Sequence, residues 1–356
     1  MIKIISDKDS LLTFESVWTQ LYDEDSSATP FQRFGYILNS IDFSLSKNDK
    51  IYIVAIKDAQ ANKWVAIFPL FLDTHRHLRF INWRHTDFCR PLINPQSLNY
   101  NLFKEFSEYI LNNKDIQGLV FDNVELTNPL ISALKSSFKY VITTDINYYS
   151  TVSIASKPTD IDSIDAFRAV PSKRKGKLRK IKNDKNNNCY LRIYNKSDGQ
   201  PYPQKAINTL VNNMISDGIR VKEYFSDEML VFWEKLYESD IISIAILYQN
   251  DIEKACSFLL VDKKKSEYIE WIILYNEKSW NVATCLWIED YIYQSGDHSI
   301  FNFARGIYDY KLTNFHPDVK PLFCVKIAKT RWGHFKNIVS TAIHYSKPIV
   351  KSFLGR

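Results

Sequence analysis

The sequence predicts an α/β protein of two similar lobes, each a mixed twisted sheet flanked by helices. Three observations predict it: a repeated helix motif, the same order of strand-like runs behind each copy, and a composition able to fill two cores. The 356 residues are 45% hydrophobic and 14% aromatic. That is a globular composition rather than a disordered one, in a chain long enough for two domains of ordinary size.

The repeat begins with Trp18-Thr19-Gln20-Leu21-Tyr22-Asp23, which recurs as Trp233-Glu234-Lys235-Leu236-Tyr237-Glu238. Phe14, Val17, Trp18 and Leu21 form one apolar stripe at helical spacing, and Leu230, Trp233, Leu236 and Tyr237 form the other. Each predicted helix precedes two β-rich runs joined by a polar connector, 51–56 with 64–72 and 242–247 with 255–261, the pattern of a hairpin. A second echo follows. A helical pattern over 103–112 carries Tyr109-Ile110 and leads to a short apolar strand at 119–121; another over 286–294 carries Tyr291-Ile292 and leads to a strand at 300–303. Two matches in one order argue for duplication, with two unrelated α/β lobes as the alternative. The expected boundaries are 1–155 for the first lobe, 156–203 for a basic linker and helix, 204–330 for the second lobe and 331–356 for a basic tail. In that tail Ile338, Ala342 and Tyr345 recur at helical spacing.

Several function classes lose their support. The five cysteines, Cys89, Cys189, Cys256, Cys285 and Cys324, are scattered and show no C-x-x-C spacing, so neither a disulfide framework nor a zinc site is expected, and a reducing compartment is. Cys256 and Cys285 sit in apolar runs and read as small buried hydrophobes. His75-x-His77 lacks a third ligand, so no metal is expected. Glycine is scarce, at nine residues, and neither dinucleotide-binding nor P-loop glycine motifs occur. The formal net charge of +6 suggests anionic partners only weakly. The first residues carry no cleavage signal, and no apolar run reaches the about 18 residues of a membrane helix. A cytoplasmic protein, at most peripheral to the inner membrane, is expected.

Several short segments resemble one family. Ala255-Cys256-Ser257-Phe258 is similar to the third strand, and Phe301-Asn302-Phe303-Ala304-Arg305-Gly306 with Tyr310-Lys311 is similar to the "fDflrG…YK" signature, of the cellulose-biosynthesis (CelD/BcsL-like) acetyltransferases of the GNAT superfamily. In the first half, Ala66-Ile67-Phe68-Pro69-Leu70 resembles that family's "iaPL" and Asp87-Phe88-Cys89-Arg90-Pro91-Leu92-Ile93 its "dYxDPLi"; the run 173–180 resembles its "KxRxxlRr". The resemblance spans roughly residues 18–315, and the Arg-Gly…Tyr-Lys element is its most specific part. It implies two tandem GNAT-like lobes, an acyl-CoA donor such as acetyl-CoA, and a place in exopolysaccharide or envelope metabolism. FemABX-type proteins share the double architecture and take amino acids from aminoacyl-tRNA. Two positions depart from the pattern. Arg90 stands where the family tends to have Asp. The small-residue turn before the last long helix is replaced by Ser279-Trp280-Asn281; the helix start there still offers N–H groups to a pyrophosphate, but Trp280 crowds it.

Acyl transfer to an amine requires an amine that loses a proton, a stabilised oxyanion and a leaving thiolate that gains one. Arg305 and Gly306 follow a strand end, where ligands of open α/β sheets gather. Arg305 suits a phosphate or carboxylate, Gly306 a sharp turn or close approach, Tyr310 proton donation and Lys311 an anion; a plain turn with a salt bridge to Asp309 is the alternative. Glu270 lies on a predicted strand with Tyr268 and Ile272 on its face. It is either a general base raised by burial or a solvent-facing edge residue. Asn281 joins the donor-binding candidates. Asp87, with His85 nearby, either orients the acceptor in a cleft between lobes or makes loop hydrogen bonds. Lys173 and Arg174 head a basic run that grips an anion or forms a solvated face. The basic tail either lies on an anionic membrane surface or is a docked or frayed helix. The expected activity is N-acyl transfer from acyl-CoA to a small polar amine or amino sugar. Aminoacyl transfer from tRNA and a non-catalytic assembly subunit are the alternatives; outside the tRNA reading no nucleic acid is expected.

Overall fold

The computed structural model describes residues 1–58, 60–97, 100–125, 129–154, 172–295 and 299–353. They form two compact units, Met1–Asn147 with Pro321–Arg356 and Tyr148–Lys320.

Both predicted repeat helices form, as Glu15–Glu24 and Asp227–Glu238. The second starts cleanly because the Ser226 hydroxyl accepts the Met229 N–H at 3.3 Å, which satisfies one of the donors a helix start leaves open. Each helix is followed by the expected antiparallel hairpin, Ile53–Asp58 with Lys63–Phe68 and Ile242–Gln249 with Ile252–Asp262. Each unit then holds a parallel strand pair connected through a helix, as parallel neighbours require. In the first unit the helix Tyr100–Asn112 lies between His77–Phe80 and Gly118–Val124 in sequence; in the second, Lys278–Gln294 lies between Glu267–Tyr275 and Ser299–Arg305.

The second unit's sheet runs in the order Cys189–Tyr194, Ile242–Gln249, Ile252–Asp262, Glu267–Tyr275, Ser299–Arg305 and then the Tyr148–Ile154 part of Tyr140–Ile154. The first unit has a four-stranded sheet, Ile2–Ile5, Ile53–Asp58, Lys63–Phe68 and Leu92–Ile93. It has a second sheet of Asp318–Ala328, Gly118–Val124, His77–Phe80, Leu70–Leu72 and Lys50–Ile51. Its core is aromatic, with Phe68 stacked on Phe106 at 4.1 Å and Phe80 against Phe121 at 4.6 Å.

The units and the sequence-based segments differ at three places. Strand Asp318–Ala328 pairs with Gly118–Val124, Phe323 opposite Val124 and Ala328 opposite Gly118, so residues from Pro321 belong with the first unit. Residues from Tyr148 belong with the second, where Thr151 faces Asn302. The segment expected as a connector is, from Ser172 onward, part of the second unit: helix Ser172–Asn186 docks through Ile181 onto Ala283 and Trp287, and Cys189–Tyr194 pairs with Ile242–Gln249. Residues 156–171 lie outside the described residues.

Trp18 and Trp233 are both fully buried, as their matched stripes predict, but their indole N–H groups differ. Trp18 donates to the Gln32 carbonyl at 2.8 Å; Trp233, against Phe258 at 4.6 Å, has no hydrogen-bond partner for its N–H among the described residues. Trp18→Phe orphans a buried carbonyl, whereas Trp233→Phe removes an unsatisfied donor. In equilibrium denaturation Trp18→Phe is expected to cost about 1–2 kcal/mol more than Trp233→Phe; equal costs would contradict this difference.

Candidate active site

The parallel strands Glu267–Tyr275 and Ser299–Arg305 are in register only from Glu267↔Ile300 to Ile269↔Asn302. Glu270 is the first residue past the last pair. On its other side Leu259 faces Glu270 and Phe258 faces Ile272, so Trp271 is an extra residue, a bulge that kinks the strand. The expected alternation fails here for that reason: Ile269 and Glu270 are both buried in succession, and Ile272 is not on a shared buried face. The strand is interior to the sheet and Glu270 is 4% exposed, which removes the edge-residue reading.

The neighbouring strand is irregular at the same level. Its register with Tyr140–Ile154 jumps from Asn302↔Thr151 to Arg305↔Tyr149. Ala304 takes a left-handed φ of 54° and donates its N–H to Asn302 Oδ1 at 2.8 Å, while Asn302 Nδ2 donates to Glu267 Oε1 at 2.6 Å. Gly306, at φ 101°, turns the chain; a Cβ there would stand 2.9 Å from the Tyr308 ring. Glycine is therefore required by the backbone, and a side chain there would also displace the exposed Tyr308 ring. The short helix Asp309–Phe315 then returns Tyr310 and Lys311 to the sheet.

Five of the candidate site residues from the sequence, Gly306, Tyr310, Lys311, Glu270 and Asn281, meet there. The Lys311 ammonium, 3% exposed, donates to the carbonyls of Phe303 at 2.6 Å and Gly306 at 3.3 Å, and its charge acts on Glu270. The Glu270 carboxylate accepts from Ser257 Oγ at 3.2 Å and from the Cys285 thiol at 3.4 Å to each oxygen. Cys285 lies one helical turn after Asn281, its Sγ 3.8 Å from Asn281 Oδ1, and the Asn281 side chain acts on the Tyr310 hydroxyl, opposing the rise that burial causes. Tyr310 is half-buried, with its ring stacked on exposed Tyr308 at 5.9 Å. A line of polar groups thus runs from Ser257 through Glu270 and Cys285 to Asn281, with Tyr310 under the influence of its outer members.

Burial raises the Glu270 carboxyl, with Lys311 opposing the rise. It raises the Cys285 thiol well above its usual range, with the Glu270 charge adding to it. It also raises the Tyr310 hydroxyl, again with the charges of Cys285 and Glu270 behind it and the Asn281 side chain opposing. A hydroxyl held protonated at the outer end of this line, with a proton-affine carboxyl at the inner end, is an acid–base pairing set by environment. Cys285 corrects the sequence reading: it is not simply a small hydrophobe but a thiol bonded to a carboxylate. Its one signal in the sequence was the i, i+4 spacing from Asn281. Cys256 is buried without such a partner in view, and burial alone raises its thiol.

The other candidates lie elsewhere. Arg305 ends its strand opposite Tyr149, half-buried. Asp87 is in the first unit, buried beside Tyr36, whose hydroxyl is raised first by burial and then by the Asp87 charge. His85 packs its ring on Phe43 at 5.2 Å. The side chains of Lys173 and Arg174 lie outside the described residues. From the same run Lys177 turns inward, its ammonium 2.8 Å from the Glu289 carboxylate, while Arg179 and Lys180 are exposed. Arg90 reaches the buried Asp25 carboxylate at 3.4 Å, a structural role. At the start of helix Lys278–Gln294 the N-cap is Glu277, and Trp280 is half-buried beneath the Lys254 ammonium at 5.8 Å.

No family model matches the chain, and no curated protein matches it in sequence. Solved structures do match in fold. The C-terminal domain (DUF2156) of a lysylphosphatidylglycerol synthetase candidate from Agrobacterium fabrum has a TM-score of 0.57 at 11% identity, over 94% of this chain and 97% of that one. L-PGS from Bacillus licheniformis has a TM-score of 0.55 at 11% identity, over 91% and 93%. FemX has a TM-score of 0.55 at 9% identity, over 87% and 96%. At such identities the likeness carries the fold alone, and that fold is the expected one: a mixed α/β chain of two GNAT-like lobes.

Proposed function

We propose that this chain is a GNAT-type acyltransferase whose second unit performs the chemistry, moving an acyl group from a thioester such as acyl-CoA to a small polar amine. The observation that carries the reading is the line of polar groups from Glu270 to Tyr310 at the point where two parallel strands part. An acyl donor lying between the parted strands sets its carbonyl oxygen against the backbone of the strand edge, whose N–H groups are the natural oxyanion donors in this reading. The amine nitrogen attacks the carbonyl carbon, the C–S bond breaks, and Tyr310 gives its proton to the thiolate. The proton lost by the amine returns to the Tyr310 oxygen, which restores the phenol, while Asn281, Cys285 and Glu270 set the polarity around it. Arg305 and Gly306 serve donor binding, and Lys311 holds the Gly306 turn. The CelD/BcsL resemblance points to exopolysaccharide or envelope amines as acceptors.

A second reading is aminoacyl transfer from tRNA. It is favoured by the shared fold with FemX and by Glu277, whose carboxylate at the helix start opposes a pyrophosphate placed there. Thermal unfolding with acetyl-CoA and with a longer acyl-CoA separates the two. At about a hundred times its dissociation constant a ligand adds about 2.7 kcal/mol of stability, a shift of several degrees. A shift lost in Arg305→Ala is the expected result. No shift at millimolar acyl-CoA would overturn the acyl-CoA donor, and a salt-sensitive shift with aminoacyl-tRNA would install the second reading.

A further inference from the structure

Over residues 331–343, whose side chains are described, the helix Arg331–Phe353 of the first unit is turned inside out. A surface helix ordinarily buries its apolar stripe and exposes its polar face. Here Trp332 is 64% exposed, Phe335 52%, Ile338 47% and Ile343 52%, with Val339 beside them. At 3.6 residues per turn these five share one arc of about 140°. The protein-facing side is polar: Asn337 is 8% exposed, and Asn337 Nδ2 and His334 Nδ1 are buried without a hydrogen-bond partner among the described residues. Lys326 fixes the same side by donating to Ser340 Oγ at 2.9 Å and Thr341 Oγ1 at 3.0 Å. The outward face is ordered within itself, with Trp332 stacked on Phe335 at 5.5 Å and the Lys336 ammonium 5.6 Å over Trp332. A contiguous face of large apolar side chains set in water marks a surface that something covers.

Charge selects the occupant. Residues 331–356 include Arg331, Lys336, Lys347, Lys351 and Arg356 and no Asp or Glu. A second copy meeting this face would bring like charges together; anionic headgroups neutralise them. Aromatic and aliphatic side chains on one face, flanked by Arg and Lys alone among charged residues, are the pattern of a helix lying in a bilayer interface. No helix among the described residues is long and apolar enough to cross a membrane, so the contact is peripheral. We propose that the Arg331–Phe353 helix docks this protein on an anionic phospholipid surface, inserting Trp332, Phe335, Ile338 and Ile343 among the acyl chains. The proposal stands independently of the acyl-transfer reading.

Flotation of the full chain with vesicles of phosphatidylcholine alone, and of phosphatidylcholine mixed with phosphatidylglycerol, tests it. Binding to the mixed vesicles, weakened by salt, is the expected result. Lys336→Gln lowers the partition coefficient about fivefold, and Trp332→Ser with Phe335→Ser lowers it at least tenfold, with the melting temperature of the free protein not lowered. Equal binding to both vesicle types, or a double-serine variant that binds like the parent, would overturn the proposal. So would absence of binding together with a concentration-dependent dimer that the double-serine variant abolishes, which would assign the face to a second copy.

Discussion

Replacing Lys311 with methionine is expected to lower stability by about 2–4 kcal/mol at neutral pH, read as a fall in the denaturant midpoint. Methionine keeps most of the volume, so cavity formation contributes little. The loss comes from two buried carbonyls, Phe303 and Gly306, that no longer receive the ammonium, and from Glu270, whose buried carboxylate loses an opposing charge. The pH dependence has a definite sign. Glu270 has a folded-state pKa raised above its ordinary 4.5, so its contribution is fully present below that value and is lost as pH rises through the raised one. Lys311→Met removes a cation that limits the rise, and the loss then extends to higher pH. Adding Glu270→Gln to Lys311→Met takes the titration away and restores part of the stability at pH 7. Wild-type stability in Lys311→Met, or an unchanged pH slope in the double variant, would contradict the buried arrangement.

Tyr310→Phe is expected to lower kcat for acyl transfer by about 10²- to 10⁴-fold, the usual contribution of a positioned acid, with little change in melting temperature. Only the hydroxyl is lost; the ring stays stacked on Tyr308. Burial holds that hydroxyl protonated well above its ordinary range, so Tyr310 adds no basic limb to the pH–rate profile of the parent. Asn281→Ala is expected to reduce kcat less, because it removes a neighbour of the acid and not the acid itself. Steady-state rates with whichever donor produces the thermal shift check both. An undiminished kcat in Tyr310→Phe would take Tyr310 out of the chemistry, and the transfer reading would lose its acid.

The candidate site was legible where its residues lie in a short, motif-like stretch. Arg305, Gly306, Tyr310 and Lys311 fall within seven positions of the sequence. The turn at Gly306 makes them neighbours of the strand end they follow. Glu270 was visible as a carboxylate on a strand, but not as an interior one. Its burial depends on the bulge at Trp271 and on strands that flank it on both sides. Cys285 was missed because an apolar run conceals a thiol whose partner sits 15 residues earlier on another element. Asp87 belongs to the other unit, so its pairing with the second-unit residues remains a sequence-based expectation.

By itself the sequence determined the elements and their repetition. The Trp18 and Trp233 stripes, the two hairpins and the two later helices follow from local periodicity, because side-chain spacing of 3.6 or 2 residues sets which face is buried. It also determined the composition of the Arg331–Phe353 helix, basic and apolar with no acid. Tertiary structure alone decided which strands pair across long separations, which placed residues from Pro321 with the first unit and residues from Tyr148 with the second. It decided that the last helix, over residues 331–343, turns its polar side inward. It also decided where two parallel strands part, and so which carboxylate, thiol, amide and phenol come within reach of one another. The physical reason is common to all three. Strand pairing, register and the choice of buried face are settled by the sum of contacts between distant segments, and local propensity carries no record of that sum.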